Sequence, residues 1–221
     1  MTDIRLDWSR AERTAVPEAI YCAGKTVEQI AEILRQADAA GRPLLLTRLE
    51  KAKRDQLSSA LDYDPVSGTA FFGDVPALAD KGAAIVAAGT SDAAVAHEAR
   101  RALEFSGVMA PIYVDVGVAG LWRLTDCAEQ LRDRRVVIAV AGFEGALFSV
   151  LAGLIPAPVI AVPTSVGHGV GEGGKAALST ALATCAPGVM AVNIDNGFGA
   201  AAAAIKILAA VDRPLTGGET P

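Results

Sequence analysis

The sequence predicts an α/β protein: a doubly wound parallel sheet preceded by a small N-terminal α/β appendage. Three observations carry that reading. Short apolar runs alternate with helical segments from Ala83 onward. Apolar residues make up 52% of the 221-residue chain, while aromatics make up only 5%, so the core is built from Ala, Val, Ile and Leu. Such residues suit strands buried on both faces beneath closely packed helices. Finally, glycines and polar residues collect where the strands of such a sheet would end. The expected division is an appendage over 1–78, the sheet domain over 79–213 and a tail over 214–221.

The appendage opens with a polar lead containing Arg5, Arg10, Glu12 and Arg13. Thr26-Val27-Glu28-Gln29 has the spacing of a capping box and starts an amphipathic helix ending near Gly41. Leu44–Leu49 reads as a short strand, followed by a charged helix through Leu61. Tyr63 to Phe72 reads as a turn leading into a second strand.

In the main domain the strand candidates are Ala83–Ala88, Pro111–Val114, Val136–Val140, Val159–Val162 and Val189–Ile194. Helices are expected around Asp92–Phe105, Gly120–Arg132, Glu144–Leu154, Gly174–Thr184 and Ala200–Val211. Ligands of such sheets bind beyond the carboxyl ends of the strands.

Each strand-end segment admits two readings. Gly89-Thr90-Ser91-Asp92 is either an ordinary helix cap or a phosphate cradle of backbone N–H groups. Asp115-Val116-Gly117-Val118-Ala119-Gly120, with Arg123 beyond, is a tight turn or a place where backbone and guanidinium meet a phosphate. Glu144 complements a helix dipole or acts as an acid/base. The glycine-rich run after Pro163, with Thr164, Ser165 and His168, suits a loop that closes over a ligand but lacks the spacing of a dinucleotide fingerprint. Asn193, Asp195, Asn196 and Gly197 form either turn chemistry or a sugar-phosphate platform. Cys185, before Pro187 and Gly188, is a packed thiol or a nucleophile.

A net charge of −5 with no basic stretch argues against nucleic-acid binding. Cys22, Cys127 and Cys185 show no paired spacing, and with only His97 and His168 a zinc site is not expected. The uncharged run from Gly145 to Gly171 matches a bilayer in length, but Pro156, Pro158 and Pro163 interrupt it. No secretory leader pattern is visible at the start, and the expected location is cytoplasmic.

Taken in order, these segments resemble a known family. Gly89-Thr90-Ser91-Asp92, Asp115 to Gly120, Ala141-Gly142-Phe143-Glu144-Gly145, Val162 to Gly167, Cys185-Ala186-Pro187-Gly188 and Asn193 to Gly199 together are similar to the LarB proteins. These are the pyridinium-3,5-biscarboxylic acid mononucleotide synthases of nickel-pincer cofactor biosynthesis. Their flavodoxin-like, three-layer core is similar to the aminoimidazole ribonucleotide carboxylase PurE. The likeness extends into the appendage through Arg5-Leu6-Asp7, Arg10, Arg13, Pro17-Glu18, Gly24-Lys25-Thr26 and Tyr63-Asp64-Pro65.

The resemblance implies carboxylation of the pyridinium ring of nicotinic acid adenine dinucleotide at C5, with carbon dioxide or bicarbonate as co-substrate. It further implies cleavage of the phosphoanhydride to release AMP, with magnesium as cofactor. Cys185 would be the covalent nucleophile and Glu144 the acid/base. Ser91, Asp92, Thr164 and the segment Asn193 to Gly197 would hold phosphate, ribose and nicotinate carboxylate. The related carboxylases are octamers, so a homo-oligomer is expected, with no nucleic acid or membrane partner. Trp122 stands where the family often has histidine, and Phe143 where it more often has methionine. Two alternatives are an aminoimidazole ribonucleotide carboxylase or mutase, and a nucleotide-binding module without chemistry. Against the first, Glu144 occupies a turn where that enzyme carries histidine, and Cys185 has no counterpart there.

Overall fold

A computed structural model describes residues 4–213; the tail expected over 214–221 lies outside the described residues. The N-terminal part runs through α1 (Arg10–Thr14), β1 (Ala19–Tyr21), α2 (Val27–Ala40), β2 (Leu44–Thr47), α3 (Lys51–Arg54), β3 (Asp62–Asp64) and β4 (Thr69–Phe72). Thr26 caps α2 by a reciprocal capping box with Gln29, which satisfies two otherwise orphaned backbone donors. The strands form one sheet in the order β1-β2-β4-β3, with β1 and β2 parallel and the other pairs antiparallel.

Helix α1 and strand β1 are not expected from the sequence, and two further details of this part differ. The charged helix stops at Arg54, because the chain turns there to bury Leu57 and then meets Ser58-Ser59. Asp62–Asp64 is itself a strand, so the segment ending at Phe72 is a hairpin with two strands.

The main domain continues with β5 (Ala79–Asp80), β6 (Ala83–Ala87), α4 (Ala93–Phe105), β7 (Val108–Met109), β8 (Ile112–Tyr113), α5 (Leu121–Leu131), β9 (Val136–Ala141), α6 (Ala146–Leu154), β10 (Val159–Pro163), α7 (Lys175–Ala183), β11 (Val189–Ala191) and α8 (Gly197–Asp212). Its five-stranded sheet has the order β11-β10-β9-β6-β8 and is parallel throughout. That is the flavodoxin-like order, and its direction reverses between β6 and β9. Strands β6, β9 and β10 are buried along their whole length, as expected of a sheet covered on both faces. Helices α4 and α8 cover one face, where Ala96 and Ala99 meet Ala200, Ala201 and Ala204. Helices α5, α6 and α7 cover the other through Leu124, Leu131, Leu147, Phe148 and Ala177. Much of the alanine-rich surface of α8 is thus buried within the chain.

The two parts share one core. One face of the N-terminal sheet packs on α2 through Ile30, Ile33, Leu44 and Leu46. The alternate residues Leu45 and Phe71 point the other way and join the α4 core beside Ala102 and Phe105. The Phe71 and Phe105 rings lie 5.5 Å apart. Polar residues of α4 then fasten the junction. Arg101 lies 3.5 Å above the centre of the Phe71 ring and pairs with Asp62 at 3.0 Å. It also donates to the Asp62 carbonyl at 2.7 Å, so its three kinds of contact all reach the N-terminal hairpin. One turn earlier, His97 approaches Asp64 at 3.8 Å.

Arg101→Ala therefore removes a stacked and hydrogen-bonded side chain that is itself nearly buried, although its partner Asp62 stays exposed. It should cost about 2–3 kcal/mol, from the cation–π contact and charge-assisted hydrogen bonds together. A urea titration should show a lower midpoint, with one transition for both parts; separate transitions for the two would contradict a shared core.

Candidate active site

The loops that follow β6, β8, β9 and β10 meet at the sheet's carboxyl edge, around the crevice between β6 and β9 where the strand order reverses. A cleft of about 330 Å³ opens there. Gly89, Ser91 and Asp92 line it from the β6 loop, Gly117 and Val118 from the β8 loop, and Gly142, Phe143, Glu144 and Gly145 from the β9 loop. Val166 closes it from the β10 loop.

Asp92 organises this end of the molecule. It is buried, and its carboxylate accepts from the Thr164 hydroxyl at 2.6 Å and from the Gly89 N–H at 2.9 Å. The Gly142 backbone N–H is a further donor. Burial pushes the Asp92 carboxyl above its ordinary range, while the three donors pull it back. Three strand-end loops are thereby tied to one side chain. The helix cap expected of Asp92 is not formed: its carboxylate turns back to Gly89, and α4 begins one residue later.

Gly142 shows how close these loops come. A β-carbon on it would sit 2.2 Å from the Val166 carbonyl oxygen and 2.7 Å from the Thr164 hydroxyl, so only glycine fits. Phe143, next to it, has φ of 50°, a backbone conformation rare outside glycine. Its half-exposed ring meets the His168 ring edge-on at 5.4 Å. Glu144 follows in this turn, before α6 rather than on it, with its carboxylate exposed at the cleft.

The other residues anticipated from sequence divide into several roles. Thr164 is fully buried beneath the cleft as the partner of Asp92. Thr90 is exposed in the short 3-10 turn with Ser91. Asp115 has φ of 64° and engages the Arg123 guanidinium, so that cation is already paired. Ser165 donates its backbone N–H to Asp195 at 2.8 Å, joining the β10 and β11 loops. Asn196 caps α8 by accepting from Gly199 at 2.8 Å. Gly197 has no free side: a β-carbon would lie 2.4 Å from the Val95 carbonyl oxygen, so its place is structural. Asn193, Asp195 and Asn196 line a second, more polar cleft of about 410 Å³ with Tyr21, Arg48 and Glu98. Arg48 and Glu98 had no signature in the sequence, because their partners lie far along the chain.

Cys185 stands apart. It is exposed, on the connection between α7 and β11, next to Thr184, which hydrogen-bonds Ser149 of α6 at 2.8 Å. Three residues on, the Gly188 carbonyl accepts from Val159 at the start of β10. Cys185 is therefore carried at the amino edge of the sheet, and Glu144 at the carboxyl edge. Within one chain the two do not share a site. Cys22 and Cys127 are core thiols, and burial pushes Cys22 up to about 12.

Among the described residues no three His, Cys, Asp or Glu side chains converge on a metal-sized point. Asp92, Asp115 and Asp195 are each committed to protein donors. These residues do not build a magnesium site of their own. Nor is any helix among the described residues long and apolar enough to cross a membrane; the uncharged run after Gly145 is divided among α6, β10 and a loop.

Two family models match successive parts of the chain. Residues 1–73 match the LarB/PurE-like N-terminal domain, and residues 83–217 match the AIR carboxylase family. A Methanocaldococcus jannaschii protein, uncharacterized protein MJ0165, is 37% identical over 211 residues, which cover 89% of this chain and 80% of its own. A PurE-like, three-layer sheet whose cleft lies at its switch point, joined to that N-terminal domain, leads to one conclusion: the chain belongs to the AIR carboxylase family, with the domain pair of the LarB proteins and a carboxylase-related function.

Proposed function

We propose that this protein carboxylates the pyridinium ring of nicotinic acid adenine dinucleotide at C5, giving pyridinium-3,5-biscarboxylic acid mononucleotide and AMP, for nickel-pincer cofactor biosynthesis. The observation that carries the reading is the pairing of a LarB-type N-terminal domain with an AIR carboxylase domain whose strand-end cleft presents Glu144 where a purine-pathway carboxylase would carry histidine.

The chemistry needs a nucleophile because a pyridinium ring is too electron-poor to attack carbon dioxide. The Cys185 thiolate adds to the ring, and the electron pair that neutralises the ring nitrogen leaves an enamine-like dihydropyridine. Its C5 attacks carbon dioxide, forming the new C–C bond. Glu144 takes the proton from C5, the pair returns to the ring, and the C–S bond breaks to release thiolate and pyridinium. Hydrolysis of the phosphoanhydride consumes water and is assigned to no residue of this chain. Gly89, Ser91 and Gly117 are small residues that let the mononucleotide half approach the backbone closely.

This mechanism requires that Cys185 reach a Glu144 cleft that its own chain does not offer. We infer that the active species is a homo-oligomer in which one copy lends Cys185 to its neighbour's cleft. Exposed apolar side chains support that assembly. Trp122, Phe143 and Val170 flank the carboxyl edge, while Leu154 and Leu182 lie on the ends of α6 and α7 toward Cys185. Two unlike patches meeting in this way make a heterologous contact, and such contacts form a closed ring when the rotation between copies completes a turn.

Purified protein given the dinucleotide and bicarbonate should release AMP and yield a mononucleotide heavier by one carboxylate, read by mass spectrometry. Product absent with fresh, folded enzyme sinks the assignment; activity on aminoimidazole ribonucleotide that survives Cys185→Ser supports the purine-pathway reading instead.

Cys185→Ser and Glu144→Gln should each be inactive alone. Co-expressed, they should recover about one quarter of the wild-type activity, since random mixing of copies leaves one shared site in four intact. No recovery in verified mixed oligomers would place both residues in a single-chain site.

Thr164→Val should weaken folding by about 1–2 kcal/mol at neutral pH, because it removes a donor from a buried carboxylate. The Asp92 carboxyl is already raised, so folding is favoured by protonation as pH falls from neutral toward its ordinary range. Losing the donor raises it further. The stability gap between variant and wild type should therefore narrow on acidification, which urea midpoints at two pH values will show.

A further inference from the structure

Arg48 has no place in the cleft, yet it ends at the loop after β11. It follows β2 in the N-terminal sheet, with φ of 52°, in the left-handed region that favours glycine. A long side chain is kept in that backbone only where its surroundings hold it. Its guanidinium donates to both carboxylate oxygens of Glu98, at 3.1 and 3.3 Å, and to the backbone carbonyl of Asp195. Glu98, on α4, is itself buried, and its second oxygen also accepts the Gly197 N–H at 3.1 Å. One ion pair, buried at Glu98 and half-exposed at Arg48, therefore grips the turn from two sides, at the Asp195 carbonyl and at the first N–H of α8.

That turn is not relaxed. Asp195 has φ of 55°, and its N–H donates to the Pro163 carbonyl at 2.8 Å. Its carboxylate accepts from Ser165, next to Thr164, the partner of Asp92. A continuous set of hydrogen bonds thus runs from the N-terminal domain through the β11 loop and the β10 loop to the cleft floor.

We propose that Arg48 is a positioning residue: through Glu98 and the Asp195 carbonyl, the N-terminal domain fixes the Asn193–Gly197 turn in the conformation that presents it to substrate. The presentation to substrate rests on the function proposed above; the fixing of the turn does not. This gives the N-terminal domain a task in the reaction besides contributing to the core.

The test uses the full chain and separates the two. Arg48→Gly deletes the guanidinium without forcing a β-carbon into left-handed backbone. Arg48→Lys keeps the charge but loses the forked donors. Glu98→Gln keeps the shape should the first variant fold poorly. Arg101→Ala is the control, since it loosens the same domain junction without touching the turn. Backbone hydrogen exchange should rise about tenfold in Arg48→Gly for peptides covering Ser165 and Asp195–Gly197, the equivalent of one lost hydrogen bond. Arg101→Ala should leave those peptides unchanged. With nicotinic acid adenine dinucleotide, KM should rise about tenfold in Arg48→Gly with kcat changed far less, as for lost uniform binding, and Arg48→Lys should fall between. Equal exchange in Arg48→Gly and Arg101→Ala, or an unchanged turn in both Arg48→Gly and Glu98→Gln, overturns the proposal. Faster exchange at the turn in a protein that shows no carboxylation upholds the positioning and refutes the enzymatic reading alone.

Discussion

A buried carboxylate with three donors aimed at it is the constraint on which the carboxyl end of this sheet depends. Asp92 gathers Thr164, Gly89 and the Gly142 N–H. Burying a charge is costly unless hydrogen bonds replace its water, and here they come from the loops that must be held together. The same arrangement dictates neighbouring sequence. Position 142 has no room for a side chain, and position 164 needs a short hydroxyl that can be fully buried. The cleft is what remains above this knot, and its shape follows from how tightly the loops are drawn.

The second organising feature is α4, which serves both parts of the chain. One side packs on β6 and α8 through alanines, allowing the close approach that an open sheet with helices on both faces requires. The other presents His97, Glu98 and Arg101 to the N-terminal sheet. A helix with buried Glu and Arg would be a liability alone; with the N-terminal sheet in place, Glu98 finds Arg48 and Arg101 finds Asp62. The two matched domains are thus neighbours that complete each other's polar contacts.

Much of this was legible in the sequence, for definite reasons. The core strands are apolar on both faces and are punctuated by glycine, so Val136–Ala141 and Val159–Pro163 stand out from the helices between them. The short strands of the N-terminal sheet do not: Ala19–Tyr21 and Asp62–Asp64 are three residues each, and one is mostly charged. The site was legible as a set of motifs but not as an arrangement. Gly89, Ser91, Asp92 and Glu144 follow strands and do line one cleft. Cys185 follows a helix and precedes a strand, and in a parallel sheet that alone puts it at the other edge. Motif order hid this, although the alternation of elements contained it. Arg48 and Glu98 left no trace because they are 50 residues apart, and no local pattern records such a contact.

The knot beneath the cleft and the clasp of the N-terminal domain sit at the two ends of one helical segment. From Asp92 to Arg101 the helix rises about 14 Å, at 1.5 Å per residue. Rotating such a rod by roughly 4° about the Arg101 end moves the other end by about 1 Å, a displacement that matters to a reacting geometry. The N-terminal domain is in this sense the long arm of a lever whose short travel is felt at the cleft floor. Strain from any surface that domain meets, a neighbouring copy included, would arrive at Asp92 as a change in loop spacing, with no contact to the cleft itself.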